Sequence, residues 1–261
     1  MMATSTTLKI DGSSVATVEL QDRGLFGPPL GVALAGPMTT AGRRIWQSAD
    51  GLVWTGMWSC TEGRFRTAFE GCDGEFIWIV AGRLTCVEDG GPTTNLGPGD
   101  AMLFPPGWIG EWQINGTLRK VVVGWTGEVA GRGRGWGPTT TNPMLGATEV
   151  AAMTLTEWET VSHEYADEKP SGQLGKTLWR SHSGSISVNL SERIAGASHA
   201  DFRTHGELAH VVCGEVVCTP DDGSPAFTLR AEDAATFPRG WMGEWNAHAP
   251  LRTLCVTWET W

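Results

Sequence analysis

Within HADFRTHGELAH, residues 199 to 210, stand His199, Asp201, His205, Glu207 and His210. Imidazoles and carboxylates at such spacing can hold a divalent metal or move protons. His205 and Glu207 are two apart, so on one strand they face the same way, and Asp201 can reach them from a preceding loop. As ligands, Asp201, His205 and Glu207 suit manganese, iron, nickel or zinc. In a catalytic reading Glu207 is a ligand or general base and Arg203 an anion anchor. His210 falls on the opposite face of a regular strand and reads as a packing residue. The alternative is a metal-free polar surface in which Arg203 pairs with Glu207.

The elements that must position this cluster are written twice. FPPGWIGEW (Phe104 to Trp112) and FPRGWMGEW (Phe237 to Trp245) are identical at seven of nine positions. Upstream of each is a Glu followed by a Gly, Glu75 with Gly82 and Glu207 with Gly214; downstream is a Leu-Arg strand ending in Trp, Leu118 to Trp125 and Leu251 to Trp258. A repeat of this order implies a duplicated fold. All histidines lie after position 160, so the two copies differ in their chemistry.

Short apolar runs such as FIWIV (Phe76 to Val80), AMLF (Ala101 to Phe104) and KVVVGW (Lys120 to Trp125) alternate with Gly, Pro and Asp clusters. That pattern predicts an all-β barrel or sandwich in each half. We place an N-terminal unit at 1–135, a connector at 136–175 and a C-terminal unit at 176–261. TLTEWETVSHEY, from Thr154 to Tyr165, is the helix candidate; GRGRG, from Gly131 to Gly135, reads as a flexible linker and ADEKPSG as a loop.

Composition narrows the class. Apolar residues make up 41% and charged residues 18%, with no apolar run long enough for a membrane span. A net charge of −10 opposes nucleic acid. The N-terminus lacks a secretory pattern, and the six cysteines form no C-x-x-C pair, so free thiols in the cytoplasm are expected. Trp108 and Trp112 flank Gly110 on one strand face, and Trp241 and Trp245 flank Gly243; these indoles either fill a barrel core or wall a small-molecule cleft. Arg66 is a candidate carboxylate anchor or a solvated side chain, while Arg119 and Arg252 read as structural ion pairs, with Glu111 and Glu244 as partners.

GMWSCTEGRFR, EFIWIVAGRLT, GPGDAMLFPPGWIGEW and LRKVVV, answered by ELAHVVCGEVV, AEDAATFPRGWMGEW and LRTLCV, resemble the cupin superfamily, in particular its ureidoglycine aminohydrolase-like small-barrel branch. The resemblance implies a bicupin, two tandem jelly-roll barrels in one chain that copy a cupin dimer, acting on a small polar metabolite. It also leaves room for a homodimer. Metal-binding cupins carry His-x-His, then Glu and Gly, and later a second motif ending in His. Here the Glu and Gly stand in both copies, but the His-x-His positions fall near Ala68 to Gly71 and Ala200 to Arg203, and the later His falls on Gly110 and Gly243. The aminohydrolase ligand set maps onto Asp201, Arg203, Glu207 and Gly243, and a guanidinium cannot coordinate a metal. The resemblance thus implies a degenerate site in the C-terminal barrel. Cupins that work without metal use a His base, a role that falls on His205. A non-catalytic small-molecule-binding bicupin is the alternative.

Overall fold

Nearly every apolar run of the sequence becomes a strand, and nearly every Gly-Pro-Asp cluster a turn. The computed structural model describes residues 8–70, 73–126, 144–157, 173–181 and 183–259. In chain order the elements begin with β1 (Leu8–Ile10), α1 (Gly12–Val15), β2 (Gln21–Leu25), β3 (Val32–Ala35), β4 (Thr39–Gln47), β5 (Val53–Cys60) and β6 (Gly63–Ala68). They continue with β7 (Gly74–Glu88), β8 (Thr93–Leu96), β9 (Ala101–Phe104) and β10 (Ile109–Trp125). Then come β11 (Met144–Leu145), α2 (Ala147–Ala152), β12 (Thr156–Glu157), β13 (Gln173–Arg180), β14 (Ile186–Arg193) and β15 (Gly196–Asp201). The chain ends with β16 (Gly206–Cys213), β17 (Glu215–Pro220), β18 (Phe227–Arg230), β19 (Ala234–Phe237), β20 (Met242–Ala247) and β21 (Leu251–Trp258).

In the N-terminal unit the sheet order is β11-β9-β7-β10-β5-β4-β2, with β6, β3 and β8 attached. The long strands β7 and β10 each serve two layers: the Leu118–Trp125 half of β10 pairs with β5, and the Ile109–Ile114 half pairs with β6. In the C-terminal unit these layers are separate sheets, β1-β19-β16-β21-β14-β13-β12 and β15-β20-β17-β18. All of these pairings are antiparallel, as expected for jelly-roll barrels.

The glycine that follows each shared Glu marks the bend between layers. Gly82 has φ 81°, and a Cβ there would lie 2.4 Å from the Thr117 carbonyl oxygen. Gly214 has φ 95°, and its Cβ would lie 2.6 Å from the Pro250 oxygen. Positive φ and a backbone at contact distance both require glycine. Inside the bends, Phe65, Ile77, Phe104 and Trp108 lead one buried core, and Phe202, Val216, Phe237 and Trp241 lead the other.

Two sequence expectations shift. The C-terminal unit takes the segment up to Ser13, together with 148–180 and 185–261, while 181–184 go with the N-terminal unit. The reason is β1, whose Lys9 and Ile10 pair with Ala235 and Ala234 of β19; in the N-terminal unit β11 plays this part, pairing Met144 and Leu145 with Met102 and Ala101 of β9. Each pairing is followed by a matched aspartate clamp. Asp233 Oδ1 accepts from the Gly12 N–H at 2.7 Å, and Asp100 Oδ1 accepts from the Ala147 N–H at 2.9 Å.

The helix also differs. It occupies Ala147–Ala152, where Ala-rich sequence favours it and Asp100 caps it from a distant turn. Thr156 and Glu157 are strand, and the rest of the predicted helix lies outside the described residues, as do GRGRG, ADEKPSG and Cys72. The described cysteines are free thiols.

Candidate functional site

β7 and β10 run side by side, so Glu75 near the start of one lies across from the apolar end of the other, where Lys120 opens KVVVGW. Lys120 is the only charged residue of that run, and alternation turns it inward. Its Nζ donates to Glu75 Oε1, with the two side chains 5% and 14% exposed. Two indoles hold the ammonium from other sides: Nζ lies 4.7 Å from the Trp112 ring centre and 4.9 Å from that of Trp58.

This cation–carboxylate pair lines a cavity of about 270 Å³ in the N-terminal barrel. Its walls include Trp54, Trp58, Phe65, Phe69, Trp112 and Trp125, and Asp73 adds a second carboxylate. Asp73 Oδ1 accepts from Thr126 Oγ1 at 2.5 Å. Apolar walls with a few convergent polar groups are the usual make-up of a small-molecule site. A further hollow of about 390 Å³, lined by Leu20, Asp22, Leu25, Thr40 and Ser59, has one carboxylate and no aromatic ring.

In the C-terminal barrel the shared carboxylate is Glu207, on β16. Burial raises its pKa to about 7, the Arg193 guanidinium acts against that rise, and the Cys255 thiol shares a hydrogen bond with it. Arg193 lies 4.9 Å over the Trp245 ring and donates from Nη1 to Ser198 Oγ at 3.3 Å. Its Nε is buried with no acceptor among the described residues. Burial lowers the Arg193 pKa, and the Glu207 carboxylate acts against that fall. Burial also pushes the Cys218 thiol up to about 12 and holds Cys255 protonated, so neither supplies a thiolate.

The two barrels therefore share one arrangement, a half-buried Glu facing a cation that stacks on the second Trp of the repeated motif. The sequence itself matches the EutQ-like cupin domain model twice, over residues 47–121 and 180–253, which together exceed half the chain. It belongs to the EutQ-like cupin family. Solved structures with the same double-cupin fold include a protein of unknown function in the DUF861 family from Pseudomonas syringae, 16% identical with a TM-score of 0.66, covering 97% of this chain and 99% of that one. Protein Ylba from E. coli, also DUF861, is 10% identical with a TM-score of 0.58 over 100% and 93% of the two chains. A cupin 2 conserved barrel domain protein from Leptotrichia buccalis is 10% identical with a TM-score of 0.56 over 94% and 99%. No curated protein matches the sequence. At these identities the likeness is one of fold.

Against the metal-binding cupin pattern, the donors present do not fit a metal. Among the described residues no three His, Cys, Asp or Glu side chains converge to hold an ion. Asp201 is engaged by Arg203, whose Nε and Nη2 lie 2.8 and 2.5 Å from Asp201 Oδ2, and these hydrogen bonds hold the Asp201 carboxyl below its usual range. His205 packs edge-on to Phe202 at 5.2 Å, with Nδ1 3.3 Å from Thr204 Oγ1. His199 Nε2 lies 2.9 Å from Asp221. A resident guanidinium or ammonium beside each shared Glu would repel a divalent ion.

The later His positions are physically closed. A Cβ on Gly110 would lie 2.3 Å from the Val87 oxygen and 2.8 Å from the Trp108 ring; one on Gly243 would lie 2.6 Å from both the Thr219 oxygen and the Trp241 ring. The indoles cover these glycines, so no open space remains there. Trp108 and Trp241 are core residues, Trp112 walls the cavity and Trp245 carries Arg193.

The remaining candidates have structural partners. Arg66 forms a two-pronged ion pair with Asp89 and is 41% exposed. Arg203 pairs with Asp201 and not with Glu207. Arg252 binds Glu192 at 2.6 Å and the carbonyls of Val150 and Ala151, while Arg119 donates to the Val18 carbonyl at 2.5 Å. Glu111 lies 3.7 Å from Arg64. Arg119 and Arg252 thus brace strand to helix region instead of meeting Glu111 and Glu244. His210 is buried, as its strand parity implies.

Sequence reasoning missed Lys120 and Arg193. Lys120 had a signal, a lone charge opening an apolar strand. Arg193 had less, because the repeat offset pairs it with Cys60 and offers no matching charge.

Proposed function

We propose that this bicupin binds a small molecule in the tryptophan-walled cavity of its N-terminal barrel, with Lys120 and Glu75 as the polar groups that orient it. The observation that carries this reading is the cavity, whose 270 Å³ exceeds the roughly 150 Å³ that takes up benzene in an apolar protein interior. A single-ring compound or a polar metabolite of similar size fits. The internal cation does the work that the cupin pattern gives to a metal ion, since it supplies a fixed positive charge opposite the shared Glu.

The test is titration of the purified protein with small ring compounds and small polar metabolites, read by tryptophan fluorescence and calorimetry. Saturable binding that Trp58→Ala weakens at least tenfold, about 1.4 kcal/mol, supports the reading. Affinity indifferent to Trp58, or no saturable ligand in the set, counts against it.

A second reading is favoured by Glu207. A carboxyl with a pKa near 7, beside an arginine whose Nε has no acceptor among the described residues, suits proton transfer to or from an anionic substrate in the C-terminal barrel. In that reading Glu207 is the base, Arg193 holds the anion, and His205 lies nearby in sequence. The activity would then be that of a hydrolase, lyase or isomerase on a small nitrogen-containing or carboxylate metabolite, as in the aminohydrolase-like branch. Metal analysis of chelator-free protein together with turnover assays of Glu207→Gln separates the two readings. Turnover lost in that variant supports catalysis, whereas unchanged turnover removes Glu207 from it.

A further inference from the structure

The N-terminal barrel carries an apolar surface that its core does not use. From Gly24 to Gly42 the sequence has no charged residue, in a chain whose net charge is −10. Leu25, Leu30, Val32 and Leu34 of this stretch are all exposed, Leu25 by 74% and Val32 by 60%. Among the described residues, every exposed large apolar side chain except Ile194 belongs to this barrel. The stretch is held in place and is not a loose end. The Phe26 N–H donates to the Met38 carbonyl at 2.9 Å, Thr67 Oγ1 donates to the Leu30 carbonyl at 2.9 Å, and the Phe26 ring lies 4.3 Å from that of Phe65.

β3 ends its layer, pairing only with β6 among the described residues, and all four of its residues, VALA, are exposed. Other edges carry groups that deter strand-to-strand association. β2 ends its sheet with Asp22, Arg23 and a register shift, and β15 ends another with His199 and Asp201. On β18 the Thr228 carbonyl is taken by Lys9 Nζ at 2.8 Å. β3 has neither charge nor proline. Its own register shift leaves Leu34 opposite no residue of β6, which shortens any backbone ladder and leaves the side chains to carry a contact.

We propose that this stretch is a self-association surface, on which a second copy of the chain docks with its own Leu25, Val32 and Leu34 about a twofold axis. Two arguments favour a copy over another partner. Chains of charge −10 repel one another least where neither brings charge to the contact, whereas a basic partner would be drawn to acidic surface elsewhere. A twofold axis also sets a strand edge antiparallel to its own copy, so the patch matches itself. Being built from one stretch of chain, it lies at the small end of protein interfaces, and the dimer is a weak one. Pro29 and Leu30 also line the tryptophan-walled cavity, so the contact borders it.

Sedimentation velocity on the intact chain tests this. The dimer fraction should rise with concentration between about 1 and 100 μM. Val32→Lys and Leu34→Lys should each raise the dissociation constant about tenfold or more. Ile194→Lys makes the same change of charge at an exposed apolar residue of the other barrel and should leave the constant unchanged. A chain that is monomeric throughout that range overturns the proposal. So does a dimer indifferent to Val32 and Leu34, or one that Ile194→Lys weakens as much. Should the lysine variants fail to fold, a photo-crosslinker at Leu25 decides, because the crosslinked product should be a dimer joined within Leu25–Ala35. Capture of any other segment, or no crosslinked dimer, overturns the docking surface.

Discussion

Glu75 and Glu207 occupy the same place in the two repeats, yet the cations that face them arrive from different strands. Lys120 extends from the last strand of its barrel, where the other copy has Thr253; Arg193 extends from β14, where the first copy has Cys60. Both end over the equivalent indole, Trp112 or Trp245. A carboxylate largely removed from water requires compensation, and each barrel supplies it from a different strand. The contacts differ as well: Glu75 is in direct ion pair with Lys120, whereas Glu207 feels Arg193 through space and hydrogen-bonds to Cys255.

Replacing Lys120 by Met strands Glu75 in an aromatic wall. Breaking a buried ion pair from one side costs about 3 kcal/mol or more, whereas removing both charges is often neutral. Urea unfolding should therefore show Lys120→Met strongly destabilised and Lys120→Met/Glu75→Leu largely restored. A double variant no more stable than the single one contradicts the pairing.

Two groups on β16 set opposing pH responses. Glu207 is raised from 4.5 to about 7, so its contribution to stability is full below pH 4.5 and lost as pH rises through 7. Buried His210 is depressed from 6.5 to about 3, so its contribution is full above pH 6.5 and lost as pH falls toward 3. Between pH 4.5 and 6.5 the two slopes oppose, each at most about 1.4 kcal/mol per pH unit. Acidifying within that window should weaken Glu207→Gln and strengthen His210→Phe relative to the unmodified chain. Identical pH trends in all three proteins would show that neither group is perturbed as described.

Gly74 and Gly206 each face a tryptophan across the sheet. An added Cβ would stand 2.4 Å from the Trp125 ring or from Trp258 Nε1. Overpacking of this kind costs about 1–3 kcal/mol. Gly206→Ala and Gly74→Ala should each lower the denaturation midpoint and shift tryptophan emission, and a substitution without effect on either would remove the steric explanation for the Gly-Glu pair.

Restoring the motif histidine should not restore a metal centre. Gly243→His places a Cβ at 2.6 Å from a backbone oxygen and an indole, so the expected outcome is a less stable protein with unchanged affinity for manganese and zinc. Calorimetry that detects a new tight site in this variant would refute the closure of that position.

The sequence makes the scaffold legible because scaffold residues recur: Glu75 and Glu207, Gly82 and Gly214, and the paired tryptophans announce where strands run and bend. What it hides depends on which strand supplies a partner. Lys120 is visible as a lone charge in an apolar run, but its partner is fixed only when β7 and β10 are paired. Arg193 has no repeat equivalent of its type, and Arg203, two residues from Asp201, turns to that carboxylate instead of Glu207. Gly110 and Gly243 mislead for a different reason, since a missing side chain suggests space and the folded indoles remove it.

The pairing of Lys9 and Ile10 with β19 links a segment that precedes the first repeat to the second one. Translation releases these residues well before the strand that receives them. This pairing can form only after the chain between them, most of both barrels, has been made. A fragment beginning at Thr148 would expose the β19 edge, and completing its sheet would need the leading peptide supplied from elsewhere.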